Sequence, residues 1–312
     1  MPFSGNVTAV LGRNLGPSLG KKGTSSDVTV YNHKLGDSVL SFVEPSAYPD
    51  KIQPLVSSLC MADQVLLKVE ELNSVFAETV VALDAASIPA GYIIYCNGVS
   101  PDALKGISSG SVISSYGSIE DQPMLIKEKL SELTPDSTGD AIVQIDHSFS
   151  VKGVGTVALG VVKKGILQRH DELTIYPQRT KAQVKSLQVH DMDVTEAVAG
   201  LRVGLAFKDI KPEDVSRGSL HSTNASIVTA SALDVDCTLS RYTPRPLSEG
   251  DTFLASAHLN YVPARVAEGS VAPGRTGKIR LSLEKELPML QARLILLDPG
   301  QRIPRVLGHA KT

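Results

Sequence analysis

The chain has no tryptophan, and only 4% of its 312 residues are aromatic. A protein that binds single-stranded nucleic acid by stacking the bases needs exposed aromatic rings, so this class is not favoured. The three cysteines, Cys60, Cys96 and Cys237, are far apart and form no Cys-x-x-Cys pair. The sequence therefore predicts neither a disulfide framework nor a zinc or other metal site, and it is typical of a protein of the reducing cytoplasm.

Long apolar runs are also missing from the sequence. No window of about 18 uncharged apolar residues occurs, so we expect no membrane-spanning helix and no membrane partner. The N-terminal segment MPFSGNVTAVLG has no basic region before an apolar run, so we expect no secretory signal. Hydrophobic residues make up 42% and charged residues 21% of the chain, as in ordinary globular proteins with two or three domains.

The net charge of −2 is unevenly distributed along the chain. Residues 1–137 contain 9 Lys and Arg against 15 Asp and Glu, a net charge of −6, whereas residues 138–312 contain 22 against 18, a net charge of +4. A polyanionic partner would be attracted to the second part of the chain. Taken alone, this charge distribution also fits ordinary solvated surfaces.

The hydrophobic pattern changes near residue 137. Before it, short apolar strands such as Val7–Leu11 and Val65–Val69 alternate with helical patterns such as 73–86, which predicts a parallel sheet covered by helices. The polar segment 134–140 reads as a linker, and short strands dominate after it. We predict an α/β domain at residues 1–137, one β-barrel at 138–224 and a second β-barrel at 225–312.

The stretch from Ile145 to Gly165, IDHSFSVKGVGTVALGVVKKG, reads as two strands of a barrel. Gly153 and Gly155 lie where such a strand must bend sharply or approach another backbone. Apolar side chains on alternate positions predict a strand with one buried face. The side chains of that face are Val151, Val157, Leu159 and Val161.

This pattern resembles the start of the second domain of the translational GTPases, the elongation factor Tu superfamily. The segments 169–175, 199–205 and 210–218 resemble the later strands of that domain in the same order. In this family the domain is a small β-barrel that holds the end of an aminoacyl-tRNA. The resemblance implies a P-loop GTPase-like α/β domain followed by two antiparallel β-barrels, with aminoacyl-tRNA and the ribosome as partners.

Within that superfamily, the pattern D-H-x-F-x-x-K-G-x-G-T with Arg202 resembles the selenocysteine-specific elongation factors. The matching residues of that family line the pocket for the esterified amino acid, which implies this role for Asp146, His147 and Arg202. Arginine and histidine can donate hydrogen bonds to a polar or anionic side chain while an aspartate orients them. A histidine beside an aspartate also fits a purely structural pair. The further residues implied are His190 at the border of the pocket and Lys152, Lys163 and Lys164 near acceptor-stem phosphates.

The last barrel contains further cations that could contact a nucleic-acid backbone. This expectation rests on charge alone. The residues concerned are Arg241, Arg245, Arg275, Lys278 and Arg280.

The motifs for GTP are degenerate in the first domain. A phosphate loop needs G-x-x-x-x-G-K-[ST], but residues 12–23 read GRNLGPSLGKKG, and Lys22 follows Gly20-Lys21 where a hydroxyl residue is required. The segment EPSAYPD at 44–50 resembles a switch of the family, with Tyr48 at the position of the histidine that positions the attacking water. The strand at 92–100 keeps Asn97 of the guanine-reading motif but not its lysine and aspartate.

The resemblance therefore implies GTP with Mg²⁺ as a cofactor only in outline, and no catalytic residue is predicted with the family's chemistry. The nucleotide-binding residues implied by position are Gly12, Gly20, Lys21, Ser25 and Asn97.

Three functions stay open at this stage. The first is a carrier of aminoacyl-tRNA in which GTP binding and hydrolysis are weakened or lost; segments 19–32 and 42–52 are similar to a group of archaeal elongation factors that includes one proposed for pyrrolysyl-tRNA. The second is a regulatory or scaffold protein on the same fold that does not bind tRNA. The third is an active GTPase with an unconventional phosphate loop. The sequence leaves open whether the protein is an enzyme.

Overall fold

The computed structural model describes residues 3–208, 210–224, 226–289 and 293–311. The first part is a seven-stranded sheet in the order β2-β3-β4-β1-β5-β6-β7. Its strands are β1 (Ser4–Leu11), β2 (Lys21–Ser25), β3 (Thr29–Leu35), β4 (Ser38–Glu44), β5 (Gln64–Val69), β6 (Gly91–Tyr95) and β7 (Gly117–Ser118). Its helices are α1 (Gly16–Leu19), α2 (Gln53–Met61), α3 (Ser74–Ala86), α4 (Pro101–Ser108) and α5 (Pro123–Ser131), with a 3₁₀ turn at Val112–Ser115.

The sheet is mixed, so the prediction of a parallel sheet was wrong for one edge. Strands β4, β1, β5, β6 and β7 are parallel, but β2 pairs with β3 and β3 pairs with β4 in antiparallel register. The reason is connection length: β3 and β4 are joined by the tight turn at Gly36, whose φ of 61° suits glycine, and such a hairpin can only be antiparallel.

The sheet is covered by helices on both faces because side chains alternate along each strand. Leu11 packs in a cluster with residues of α2 and α3, whereas the neighbouring Val10 packs with Leu19 of α1 and Ile126 of α5. Helix α3 begins after Asn73, whose side chain accepts a hydrogen bond from the Phe76 amide at 3.0 Å and so caps the helix. Within the described residues, no helix is long and apolar enough to cross a membrane.

Two closed six-stranded antiparallel β-barrels follow. The first barrel closes in the order β11-β16-β8-β9-β15-β12, and the second in the order β17-β22-β20-β19-β23-β24. The strands are β8 (Ile142–Val151), β9 (Gly155–Lys164), β10 (Ile166–Gln168), β11 (Glu172–Tyr176), β12 (Thr180–Val189), β13 (Met192–Val194), β14 (Glu196–Val198), β15 (Arg202–Lys208), β16 (Leu220–Ser222), β17 (Thr229–Leu239), β18 (Leu247–Ser248), β19 (Thr252–Ala257), β20 (Asn260–Glu268), β21 (Ser270–Val271), β22 (Thr276–Pro288), β23 (Arg293–Leu297) and β24 (Val306–Lys311). The fold class predicted from the sequence is confirmed.

The hairpin of β8 and β9 is present, but the prediction of its buried face was wrong. Ala158 and Val162 point into the core of the first barrel, whereas Val157 and Leu159 are only partly buried. Val161 is fully buried for a different reason, because it packs against residues of the α/β part. A small barrel leaves little interior space, so its inner positions favour small side chains and its apolar outer positions are available to a neighbouring domain.

The predicted domain spans of 1–137, 138–224 and 225–312 remain predictions. The segment 133–138 forms no helix or strand, and β16 and β17 are separated by residues 223–228. Ala225 and Thr312, which bound the last predicted span, lie outside the described residues. The three cysteines are all free thiols, as predicted.

The three parts share buried contacts. One apolar cluster combines Val161 of β9 and Leu259 of the β19–β20 turn with β-strand valines of the α/β part. Close backbone approach also occurs: Gly200 has φ 88°, and a Cβ there would lie 2.3 Å from the Gly5 carbonyl oxygen of β1. These contacts hold the barrels directly against the sheet.

A buried ion pair joins the second barrel to helix α3. Glu78 is fully buried, and its carboxylate accepts hydrogen bonds from Nε and Nη2 of Arg305 at 3.1 and 2.7 Å. The same guanidinium donates to the carbonyl oxygens of Pro49 and Asp50 at 2.9 and 3.2 Å. These hydrogen-bond acceptors of Arg305 all belong to the α/β part, so Arg305 joins the second barrel to the α/β part.

We expect Arg305→Ala to destabilise the protein by about 3–5 kcal/mol, because it leaves the Glu78 carboxylate buried without a partner. Urea unfolding would measure the change in the free energy of unfolding. Arg302→Ala is the matched control, since Arg302 is an exposed arginine of the same loop. Equal stability of the two variants would contradict this role for Arg305.

Candidate functional site

Asp146, His147 and Arg202 come together at the junction of strands β8 and β15 with the α/β part. Nε and Nη2 of Arg202 donate to the two carboxylate oxygens of Asp146 at 2.9 and 3.1 Å, a bidentate pair. Nδ1 of His147 lies 3.3 Å from Oδ1 of the same carboxylate. A register shift between Ile145 and His147 of β8 accompanies this arrangement of consecutive polar residues.

The carboxylate at the centre of this cluster is ionised. Burial alone would raise the pKa of Asp146, but the charge of Arg202 and the hydrogen bonds from His147 and Arg202 outweigh it, so the pKa is below its ordinary value. The side chains of Asp146 and Arg202 are 4% and 10% exposed, whereas that of His147 is 33% exposed. The imidazole is thus the member of the cluster that solvent or a ligand can reach.

A residue of the α/β part closes one side of the cluster. Nη2 of Arg202 also donates to Oγ1 of Thr24 in β2 at 3.1 Å. Nearby, Arg217 forms a second bidentate pair with Asp27, at 2.8 and 3.2 Å. Sequence patterns did not identify Thr24 or Arg217, because a contact between residues about 180 positions apart leaves no local signal.

His190 lies beside this cluster without joining it. It occupies the turn between β12 and β13 with φ 49°, directly after Val189, which pairs with Val203 next to Arg202. His190 is also close to His33 of strand β3: burial lowers the pKa of His33, and the charges of Lys127 and His190 add to this effect. His190 thus lies near the edge of the α/β sheet, and it has no hydrogen bond to the cluster within the described residues.

The three lysines expected near phosphates have different environments. Lys152 and Lys164 are exposed. Lys163 is instead committed to the α/β part: its ammonium donates to the carbonyl oxygens of Met61 and Ala62 and to Oδ1 of Asp63, at 2.9, 3.2 and 2.9 Å. We correct the expectation for Lys163, because an ammonium that caps the carboxyl end of α2 is already satisfied.

The five cations of the second barrel that could contact a nucleic-acid backbone, Arg241, Arg245, Arg275, Lys278 and Arg280, are all exposed. Arg245 pairs with Asp251 at 2.7 Å, and Arg280 lies 3.8 Å from Asp234. Arg241 lies over the Tyr242 ring, 4.9 Å from its centroid, and beside the turn that contains Gly274 and Arg275. Arg241 and Arg275 thus carry positive charge that is not paired with a carboxylate within the described part of the chain.

A cleft of about 480 Å³ opens at the carboxyl ends of the parallel strands, where ligands bind in sheets of this kind. Gly12 and Asn97 line it, but Gly20, Lys21 and Ser25 do not. We correct the expectation for these three residues. Helix α1 is only four residues long, so the chain enters the edge strand β2 at once and carries Lys21 and Ser25 away from the cleft.

The cleft lacks the free lysine of a phosphate loop within the described residues. Carboxylates of Glu44, Glu70 and Glu71 line it, and the exposed Arg13 is its cation without a salt bridge among the described residues. The ammonium of Lys68 is paired with Asp121 at 3.0 Å, and the three carboxylates oppose the burial of a triphosphate. Among the described residues, no group of three or more His, Cys, Asp or Glu side chains is arranged to hold a metal ion.

Tyr48 is also turned away from any catalytic role in the cleft. Its hydroxyl donates to the Val75 carbonyl at 2.9 Å and lies 3.1 Å from the Thr79 hydroxyl, both in helix α3. Burial raises the pKa of Tyr48 further above its ordinary value. A phenol held in this way cannot accept a proton from water near neutral pH.

Comparison with known proteins agrees with this architecture. The family described as Elongation factor Tu domain 2 matches residues 155–220. An uncharacterized protein of Methanocaldococcus jannaschii is 37% identical over 300 residues, which cover 95% of both chains. The selenocysteine-specific elongation factor of the same organism is 45% identical over 76 residues, 24% of this chain and 16% of that protein.

A solved structure extends the similarity to the whole fold. Translation elongation factor SelB from Methanococcus maripaludis, in complex with the GTP analogue GppNHp, superposes with a TM-score of 0.79 at 19% identity, covering 100% of this chain and 79% of that one. The chain belongs to the translational GTPase superfamily. Within it, the similarities in sequence and fold are to the selenocysteine-specific elongation factors.

We expect the stabilising effect of Asp146 to disappear in acid. Its folded pKa is below the unfolded value of about 3.9, so its contribution is complete above that pH and is lost as the pH falls through the folded pKa. The difference in the free energy of unfolding between the wild type and Asp146→Asn should therefore be larger at pH 7 than at pH 3. A difference that is constant with pH would contradict the ionised pair.

Proposed function

We propose that this protein is a SelB-like translation elongation factor that binds an aminoacyl-tRNA through its two β-barrels, with GTP binding and hydrolysis weakened or lost. The observation that carries the proposal is the cluster of Asp146, His147 and Arg202, in which a buried ion pair holds a partly exposed imidazole. Such a factor acts in the cytoplasm with the ribosome as its second partner.

The cluster has the chemistry of a pocket for a polar side chain. A guanidinium has five donor hydrogens, and contacts of Nε and Nη2 with Asp146 and Thr24 use three of them. The two hydrogens on Nη1 of Arg202 have no partner within the described residues. The imidazole of His147 turns Nδ1 to Asp146, which leaves Nε2 for a ligand. The amino acid esterified to a tRNA would meet these two groups.

The charge distribution supports a polyanionic partner for the barrels. Exposed cations that form no salt bridge within the described residues occur on the first barrel at Lys152 and Lys164 and on the second barrel at Arg241 and Arg275. Contacts of this kind bind phosphates and position a nucleic acid without reading its sequence. The acidic residues that line the cleft of the α/β part would repel the same partner.

The cleft supports weak or absent GTP binding. Its loop provides Arg13 but no lysine for phosphate, its carboxylates oppose a polyanion, and Nδ2 of Asn97 lies 3.5 Å from the Glu70 carbonyl oxygen. The aspartate that would select guanine is replaced by Ser100, which caps helix α4 instead. The fold of a GTPase is thus present without the charges on which its chemistry depends.

We expect the purified protein to bind an aminoacylated tRNA more tightly than the same tRNA after deacylation. His147→Ala should abolish this difference while binding of deacylated tRNA stays unchanged, because His147 contacts only the amino acid. Fluorescence titration with both forms would measure it. His170→Ala is the matched control, since His170 is an exposed histidine of the same barrel.

Equal affinity for the two forms of tRNA, or no binding of either, would contradict the proposed function. A loss of affinity in His170→Ala as large as that in His147→Ala would contradict the assignment of the pocket.

Binding through phosphate contacts should also fall steeply between about 50 and 200 mM salt. Lys152→Ala should reduce the slope of the logarithm of affinity against the logarithm of salt by about 1, because one phosphate contact is lost. Lys181→Ala is the control, since Lys181 is already paired with Glu172 at 2.6 Å. An affinity that does not depend on salt would instead favour a scaffold that binds proteins.

A further inference from the structure

A carboxylate of another strand lies against the loop that follows β1. Glu44, the last residue of β4, lines the cleft together with Gly12 and Asn14. Its carboxylate is pressed against the loop, since a Cβ at Gly16 would lie 2.5 Å from Oε2 of Glu44. Burial raises the pKa of Glu44, and hydrogen bonds from the Tyr31 hydroxyl and the Asn14 amide offset this only in part. The loop thus packs against a carboxylate of the protein at the edge of the cleft.

Lys68 of β5 lines the side of the cleft next to Gly12. A Cβ at Gly12 would lie 2.6 Å from Cβ of Lys68, so the start of the loop packs directly on this side chain. The ammonium then turns to Asp121 at 3.0 Å and Glu70 at 3.9 Å. The partly buried ammonium of Lys68 is therefore paired within the protein, and the other cation that lines the described cleft, Arg13, is exposed.

Two segments beside the cleft are bound to the barrels rather than to a ligand. The β2–β3 hairpin is attached to the first barrel through Thr24 with Arg202 and through Asp27 with Arg217. The segment after β4, residues 45–52, is attached to the second barrel through Arg305, whose guanidinium donates to the carbonyl oxygens of Pro49 and Asp50 and to the Glu78 carboxylate of helix α3.

The two segments are also bound to each other. The Thr29 hydroxyl lies 3.0 Å from the Ser25 hydroxyl and 2.6 Å from the Ser46 hydroxyl, which forms a chain from β2 to the segment after β4. The hairpin, the segment after β4 and the two barrels are therefore connected by one set of hydrogen bonds.

We propose that the Glu44 carboxylate replaces a bound phosphate in the loop at residues 12–20, and that the contacts of Arg202, Arg217 and Arg305 keep the surface of the two barrels assembled without a nucleotide. This inference rests on the proposed function only in naming that surface as the one for aminoacyl-tRNA. The domain arrangement of this protein is then permanent rather than switched.

The first test uses the wild-type protein. GTP or GDP with Mg²⁺, each at 1 mM as an approximate working concentration far above the Kd of a functional nucleotide site, should leave the melting temperature and the small-angle scattering profile unchanged. A rise in melting temperature or a changed profile with either nucleotide would overturn the inference.

The second test removes the internal anion. Glu44→Ala should melt several degrees below the wild type, and inorganic phosphate should raise its melting temperature by more than it raises that of the wild type, because the loop regains an anion. Glu71→Ala is the matched control: Glu71 is an exposed carboxylate of the same cleft whose contact is with the Asn73 amide at 3.1 Å. Glu44→Gln keeps the volume without the charge and should show no phosphate rescue.

If Glu44→Ala melts like Glu71→Ala, or if phosphate raises both variants equally, the role of Glu44 is wrong. The melting and scattering measurements need no tRNA, so their outcome is independent of the tests of the proposed function. Failure of the tRNA titrations with unchanged melting and scattering would overturn the proposed function alone, whereas nucleotide-dependent scattering with intact tRNA binding would overturn this inference alone.

Discussion

The structure depends on arginines of the barrels whose charge is satisfied by groups of the α/β part. Arg305 lies among the Glu78 carboxylate and two carbonyl oxygens, and Arg217 is paired with Asp27. A buried charge is tolerated only when it is paired and hydrogen-bonded, so these contacts specify one relative position of sheet and barrels. The apolar cluster around Val161 and Leu259 can then exclude water at the same junction.

The same constraint decides which polar groups remain for a ligand. Lys163 is used at the carboxyl end of α2, and most of the Arg202 guanidinium is used by Asp146 and Thr24. His147 is one-third exposed, and within the described residues its side-chain hydrogen bond is to the Asp146 carboxylate. The cluster lies between the first barrel and the α/β part, so its arrangement follows from their contact as much as from the barrel itself.

In the α/β part, the sheet keeps a cleft at the ends of its parallel strands, but the charged residues in that cleft are not those of a phosphate loop. The parallel strands still end together at a cleft, as the topology of such sheets requires. The charged groups placed there are three carboxylates, a lysine paired with Asp121 and the exposed Arg13, which differ from those of a lysine-containing phosphate loop. The sheet can keep its fold with different residues at this edge, because its apolar core lies between the sheet and the helices.

The sequence alone determined the barrel hairpin at 145–165 and the alternation of strands and helices before residue 137, because periodicity is a local property of the chain. Its resemblance to a known family implied the GTPase-like fold class and the grouping of Asp146, His147 and Arg202. It misassigned the buried face of β9, the antiparallel edge of the sheet and the environment of Lys163. It also did not identify Thr24, Arg217, Glu78 or Arg305 as contact residues. These depend on which distant surfaces meet, and a partner more than a hundred residues away leaves no trace in the local pattern, so only the tertiary structure decided them.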